Sequence, residues 1–380
     1  MKTMHIAYGH RTDDTRILKK ECESLAKHGY DVIYVTSNKL SKETFDLPNV
    51  KRLIIPLQSN NRVFRIIRYM HDIRKLIKRE KPDVCHIHDF QILPLLITIP
   101  RNTMKIFDSH EDYPAYIADT SLRRLNFTLK YRAIETIERI CFKKCIHIIS
   151  ATPYIKKQIE KFGLNVTDVN NYPLVSLNKV EKKYNHLQIC FTGGAGDSSG
   201  VLKVAEAIQN TKYKLIIAGN CSYEYLAKLK QIAGENIQYL GYLNKCGVEE
   251  IIDGSLIGVV PYLPTANCLH AIPNKMFEYM ERGTPIIYSN FPDWIDMLGR
   301  YQVGIAVNPD NPKEILDAID RFNMDDAYRM DTSKNARRAV EMVYNWDKEE
   351  RKLLKVYDSI KKSLETSLDC NEKKRNRIYS

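Results

Sequence analysis

The residues best placed to do chemistry lie between His270 and Ser289, in the run His-Ala-Ile-Pro-Asn-Lys-Met-Phe-Glu-Tyr-Met-Glu-Arg-Gly-Thr-Pro-Ile-Ile-Tyr-Ser. Pro273 marks a helix start, Gly283 its end, and an apolar strand follows. The first turn of such a helix leaves free backbone N–H groups at the positive end of its dipole, which suits a diphosphate. Glu278 stands one turn on, where a carboxylate accepts hydrogen bonds from vicinal hydroxyls such as those of a ribose. Together these describe a nucleotide-sugar site. The plainer alternative is an ordinary helix–strand unit with a surface glutamate.

Four further segments carry polar groups at strand ends, where open α/β sheets hold their ligands. Asp108-Ser109-His110-Glu111-Asp112-Tyr113-Pro114 follows an apolar strand, and His10-Arg11-Thr12-Asp13-Asp14-Thr15-Arg16-Ile17 lies between the first strand and the first helix. In the latter, Asp14 or Thr15 reads as a helix cap, with Arg16 free to reach an anion. Val84-Cys85-His86-Ile87-His88-Asp89 places His86 and His88 on one face of a strand. Two histidines and an aspartate invite a metal, but a structural role or one lining an acceptor is the reading taken. Thr192-Gly193-Gly194-Ala195-Gly196-Asp197-Ser198-Ser199-Gly200 opens a second strand series with glycines that let backbone approach phosphate.

The elements that position these segments follow from pattern. Strand-like runs at His5–Tyr8, Asp31–Thr36, Val50–Pro56, Val84–His88, Lys105–Asp108 and Ile146–Ala151 alternate with helical stretches such as Thr15–Lys27. A second series starts at Leu187–Thr192 and continues at Lys214–Ala218, Ile237–Leu240, Ile257–Val260, Pro285–Tyr288 and Gly304–Val307. This alternation predicts two parallel, doubly wound α/β halves. Residues 1–170 and 185–345 are taken as the two domains, joined through an Asn-rich link. An amphipathic helix over 346–364 and a polar, unstructured tail over 365–380 follow.

With 380 residues, two domains are the natural division. Nine cysteines without framework spacing argue for reduced thiols and not a disulfide scaffold. The longest apolar runs, such as Ile92 to Pro100, fall short of a membrane span of about 20 residues. The N-terminus lacks a signal peptide's pattern, so a cytoplasmic location is expected. The net charge of +12 is uneven: residues 1–180 hold 31 Lys plus Arg against 19 Asp plus Glu, and the remainder balances. The stretch Arg62 to Lys81 is strongly basic, with an apolar stripe of Val63, Ile66, Ile67, Met70, Ile73 and Ile77. It reads either as a core-packed helix with a solvated face or as a surface that docks on anionic lipid at the inner face of the membrane. No nucleic-acid module is present, so none is expected as a partner.

The run around Glu278 resembles the "PNKxFEYMxxGxPVI" segment of the retaining glycosyltransferases of family four. The segment at His110 is similar to their "D-x-H-E-D-Y-P", the one at His10 to their "H-P-x-x-D-T-R-I" and the one at His88 to their "D-V-x-H-x-H-D". The resemblance implies the GT-B fold: two Rossmann-like domains facing across a cleft, the terminal helix crossing back to the first. It implies transfer of a hexose or hexosamine from a UDP- or GDP-linked sugar to a hydroxyl, with retention. The acceptor would be a glycan or a polyprenyl-diphosphate-linked glycan in bacterial surface polysaccharide (capsule or exopolysaccharide) assembly. Neither a metal nor a cofactor is implied.

By the same resemblance His110 and Glu278 are the catalytic candidates, with His110 at the sugar and Glu278 on the ribose. Gly193, Gly194, Asn274 and Lys275 would lie near the diphosphate, and Asp14, His88 and Glu111 on the acceptor side. Two departures stand out. Ser198 and Ser199 occupy the place of the family's phosphate-side Arg or Lys, which leaves Arg16, Lys203 or Lys275 to supply that charge. His270 stands where the first glutamate of the family's E-x7-E pair belongs, so His270 and the backbone N–H groups of Ala271 and Ile272 are the candidates for holding the sugar hydroxyls. A non-catalytic scaffold and a nucleotide-sugar epimerase of the same fold are the alternatives.

Overall fold

The computed structural model describes residues 1–37, 49–57, 60–120, 126–175 and 184–378. The chain divides into two compact units, one of Met1–Asn171 with Trp346–Ser380, the other of Tyr172–Asn345. Each is built on a parallel sheet.

The first unit's strands are β1 (Lys2–Ile6), β2 (Asp31–Thr36), β3 (Val50–Ile54), β4 (Val84–Ile87), β5 (Met104–Ser109), β6 (His147–Ser150) and β7 (Val166–Asp168). Their spatial order is β3-β2-β1-β4-β5-β6-β7. The second unit's strands are β8 (Asn185–Thr192), β9 (Lys214–Ala218), β10 (Ile237–Gly241), β11 (Ser255–Val260), β12 (Ile286–Ser289) and β13 (Gly304–Val307), in the order β10-β9-β8-β11-β12-β13. All pairings are parallel. Residues on β1, β2, β4 and β11, and the second half of β8, are almost all buried, as in parallel strands covered on both faces.

In both sheets the order reverses beside the first strand, between β1 and β4 and between β8 and β11. Such switch points leave a crevice at the strands' carboxyl ends. The loops after β1, β4 and β5 carry the His10, His88 and His110 segments, and those after β8 and β11 carry the Gly193 and Asn274 segments.

Three elements differ from expectation. The Thr15–Lys27 stretch is a π-helix over Ile17–Cys22 followed by an α-helical turn over Glu23–Lys27. A 17-residue helix, Asp326–Met342, had no clear period in the sequence because it is polar on most sides and buries chiefly Thr332, Ala336, Ala339 and Val340. The last helix runs Trp346–Ile378, through the segment expected to be an unstructured tail. It belongs to the first unit, where Trp346 Nε1 donates to Ser24 Oγ at 2.9 Å and Tyr357 is fully buried. The sequence pattern does not announce β7, a three-residue strand beside the Asn-rich segment; residues 176–183 of the expected link lie outside the described residues.

Candidate functional site

In the second unit the glycine loop and the Asn274–Glu281 helix meet at Lys275. The Tyr279 hydroxyl accepts hydrogen bonds from Thr192 N at 2.8 Å and Thr192 Oγ1 at 3.1 Å, tying this helix to the end of β8. The tyrosine ring crosses β11 at Gly258, where an added Cβ would sit 2.3 Å from a ring carbon. Any larger residue at 258 displaces the helix. Beyond Thr192 the chain turns at Gly193 with φ +104°, a conformation glycine adopts readily.

Lys275, on the helix's first turn, ends against this turn: a Cβ at Gly193 would lie 3.1 Å from Lys275 Nζ. The ammonium is buried and, among the described residues, has no hydrogen-bond partner. It sits 3.6 Å from the centroid of the Phe191 ring and 5.3 Å from that of Tyr262. Burial lowers its pKa to about 7, with the Glu278 carboxylate opposing the shift. No side chain caps the helix, whose N-cap is Pro273. The site thus offers a buried cation, a glycine backbone and an uncapped helix end together. A pocket of about 630 Å³ adjoins it, lined by Gly194, Gly196, Asn220, Ser222, Tyr262 and Asn267 among others. Asn220 and Ser222 escaped the sequence reading, although they follow β9 as Gly193 follows β8.

The other donor-side candidates divide. Gly194 and Asn274 are exposed, Glu278, Ile272 and His270 half-buried. His270 Nδ1 lies 2.7 Å from Asp293 Oδ2. Ala271 N donates to Cys268 O at 3.2 Å, so this N–H is occupied and does not serve a sugar hydroxyl. Lys203 Nζ pairs with Glu206 at 3.0 Å, one turn along its own helix. Ser199, in the place of the family's basic residue, is buried and closes the loop by donating to Gly196 O at 2.5 Å while accepting from Gly196 N.

In the first unit the candidates gather around Asp108, at the end of β5. The Arg16 guanidinium donates from Nε and Nη2 to the two Asp108 oxygens at 3.0 and 2.9 Å, and from Nη1 to Val169 O at 2.9 Å. It also lies 3.2 Å from Glu21. Arg16 is 5% exposed and fully engaged, which corrects its assignment to an anionic ligand. Burial alone would raise the pKa of Asp108, but Arg16 and His110 hold its carboxyl well below the usual range. Asp108 Oδ2 accepts from His110 Nε2–H at 3.0 Å, which fixes the imidazole and turns its Nδ1 edge away.

His88 is completely buried against Asp108, so it cannot line an acceptor surface. Burial pushes its pKa down to about 4. Asp14 caps the π-helix by accepting from Ile17 N at 2.8 Å and pairs with His10 Nδ1 at 3.0 Å. Although burial opposes it, hydrogen bonds to Asp14 and Asp89 raise the pKa of His10 to about 10. That of Asp14 falls to about 2, burial opposing and His10 prevailing. Glu111 is exposed beside His110.

Residues 15–170 match the Glycosyltransferase Family 4 model, and residues 187–325 match the Glycosyl transferases group 1 model. Both units thus match glycosyltransferase models, and the chain is a glycosyltransferase. This glycosyltransferase is 23% identical over 323 residues to the putative teichuronic acid biosynthesis glycosyltransferase TuaH of Bacillus subtilis, covering 77% of this chain and 78% of that protein. It is 21% identical over 372 residues to an uncharacterized glycosyltransferase of Methanocaldococcus jannaschii, covering 88% and 91%. Its fold matches sucrose-phosphate synthase from Thermosynechococcus elongatus with a TM-score of 0.76 at 12% identity, over 96% of this chain and all of that one. It matches Anabaena HepE, solved with UDP and glucose, with a TM-score of 0.72 at 10% identity, over 94% and 100%. The glycosyltransferase therefore has the GT-B fold, with its terminal helix returned to the first Rossmann-like unit.

Proposed function

We propose that this glycosyltransferase moves a hexose or hexosamine from a UDP- or GDP-linked donor to a hydroxyl of a glycan or polyprenyl-diphosphate-linked acceptor, with retention, in bacterial surface polysaccharide assembly. The observation that carries the reading is the buried Lys275 ammonium beneath Gly193, next to an uncapped helix end. A diphosphate laid on the Gly193–Gly194 backbone would supply the negative charge that Lys275 lacks. Glu278 on the following turn then accepts from the ribose hydroxyls. The solved complex of HepE with UDP and glucose, and the teichuronic acid role in the name of TuaH, support the donor and pathway classes.

In this reading the chemistry needs no enzymic nucleophile. The acceptor attacks the face the diphosphate leaves, at a centre with oxocarbenium character, and the leaving phosphate takes the acceptor's proton. The protein positions the groups and stabilises the departing charge. Protonated Lys275 offsets charge on the diphosphate, and His110, held by Asp108, is assigned to the sugar. Glu111 is assigned to the acceptor.

Membrane docking through the Arg62–Glu80 helix belongs to the same proposal. Tyr69, Ile73, Leu76 and Ile77 anchor the helix in the core, while Val63, Phe64 and Ile67 are more than half exposed beside Arg62 and Arg68. Exposed apolar side chains flanked by arginines suit an anionic bilayer surface. Among the described residues no helix is long and apolar enough to cross a membrane.

One set of observations favours the non-catalytic reading: Arg16 and Lys203 are both engaged elsewhere, and Ser199 replaces the usual basic residue. Calorimetry against UDP, GDP and their sugars separates the two. Binding of one nucleotide series, abolished in Glu278→Ala, supports the transferase; no binding across the panel favours the scaffold.

A further inference from the structure

The core of the first unit holds a second polar cluster, which the transfer reaction does not use. His5 on β1 and His86 on β4 are register partners in the sheet, His88 follows two residues on, and Glu21 comes from the π-helix. All four side chains are completely buried. Their ligating atoms, one from each residue, lie within 4.8 Å of one another.

Three of these atoms have individual distances. His5 Nδ1 is 3.0 Å from His88 Nε2 and 3.8 Å from Glu21 Oε2, and the latter two are 4.0 Å apart. A point equidistant from all three lies about 2.1 Å from each, the bond length of zinc to imidazole nitrogen and carboxylate oxygen.

The outward edges of the rings tell the same story. Tyr357 Oη lies 2.9 Å from His86 Nδ1 and 3.1 Å from His5 Nε2, with Thr3 Oγ1 at 3.4 Å to take the hydroxyl proton. His88 Nδ1 faces Asp108 Oδ2 at 3.5 Å. If each outward nitrogen carries the hydrogen, all three rings turn a lone pair inward, the arrangement in which outer partners orient metal-bound histidines. A proton shared between His5 and His88 is the other way to draw the cluster. It leaves His86 Nε2 and Glu21 Oε2 without a hydrogen-bond partner among the described residues, Glu21 Oε1 lying 3.2 Å from Arg16 Nε. Such groups are costly in a core. A π-helical turn at Glu21 fits as well, since these turns recur at functional positions.

We propose that His5, Glu21, His86 and His88 form a closed, four-ligand site for a structural divalent metal ion, with zinc best suited to three imidazoles and a carboxylate. The site differs from the His86-His88-Asp89 grouping considered in the sequence, because Asp89 instead accepts from Tyr8 N and pairs with His10. With four protein ligands and no exposure it leaves no position for substrate. Its role is to clamp β1, β4, the π-helix and, through Tyr357, the terminal helix.

The test is elemental analysis and zinc-edge X-ray absorption on the full chain, purified without a metal-affinity step, together with Glu21→Gln and His86→Gln. About one zinc per chain is expected, with only nitrogen and oxygen neighbours near 2.1 Å, lost from both variants. Refolding wild type in zinc is expected to raise its unfolding temperature over refolding in chelator, and this arm stands even if the variants do not fold. Metal-free protein whose unfolding is indifferent to zinc overturns the proposal. So does zinc with sulfur neighbours, or zinc retained in Glu21→Gln, which would place it elsewhere, for example at the exposed Cys246.

Discussion

The two units each bury a basic side chain beside a strand end, and they treat it in opposite ways. Arg16 in the first unit is matched by both oxygens of Asp108, by Glu21 and by a backbone carbonyl. Lys275 in the second has two aromatic rings and no hydrogen-bond acceptor among the described residues. A fully matched buried charge is part of the fold; an unmatched one destabilises the protein until a ligand supplies the missing partner. Burial predicts nothing about function here, whereas pairing does.

Removing each charge should therefore have opposite effects on stability. Arg16→Met leaves Asp108 buried without its partner and should cost about 3–5 kcal/mol in denaturant unfolding. Lys275→Met should leave stability unchanged or raise it, yet weaken nucleotide-sugar binding. For a charge about 5 Å from the diphosphate at an effective dielectric near 20, that loss is about 3 kcal/mol, roughly two hundredfold to three hundredfold in Kd by calorimetry. A large loss of stability in Lys275→Met, or none in Arg16→Met, breaks the comparison.

A smaller effect concerns the helix that carries Lys275. Tyr279→Phe removes the acceptor for Thr192 N and Oγ1 and should destabilise the second unit by about 1–3 kcal/mol, with a modest rise in Kd as the helix loosens. Smallest is the pH response of the loop after β1. Against the burial that opposes it, the Asp14 and Asp89 carboxylates raise the pKa of folded His10 to about 10 from an ordinary 6.5, so its contribution is complete below pH 6.5 and disappears as pH rises through 10. Asp14, at about 2 against 3.8, contributes above pH 3.8 and ceases to as pH falls through 2. Unfolding across pH 4 to 10 should show a plateau to pH 6.5 and then a decline of about 1 kcal/mol, absent in His10→Gln.

The fold was largely legible because buried parallel strands read as short apolar runs separated by helical periods. Asp31–Thr36, Lys214–Ala218 and Gly304–Val307 fall where their patterns place them. What pattern cannot show is which charges become neighbours. Arg16 looks available in sequence because Asp108 is 92 positions away. Lys203 is a different lesson: Glu206 follows at i+3 on the same helix, a pairing the spacing itself announces. The metal-like cluster was half visible, as His86 and His88 alternate on one strand. His5 and Glu21 join it only through the β1–β4 register and the π-helical turn.

If Lys275 awaits a diphosphate, binding must be linked to proton uptake. With a pKa of about 7 in the free protein, Lys275 is mostly neutral at pH 8, and a bound anion should restore its charge. Calorimetric titration of the nucleotide-sugar that binds, at pH 8 in two buffers of different ionisation enthalpy, should then report uptake of close to one proton per site, abolished in Lys275→Met. Binding with no proton uptake, or uptake unchanged in the variant, would contradict the account.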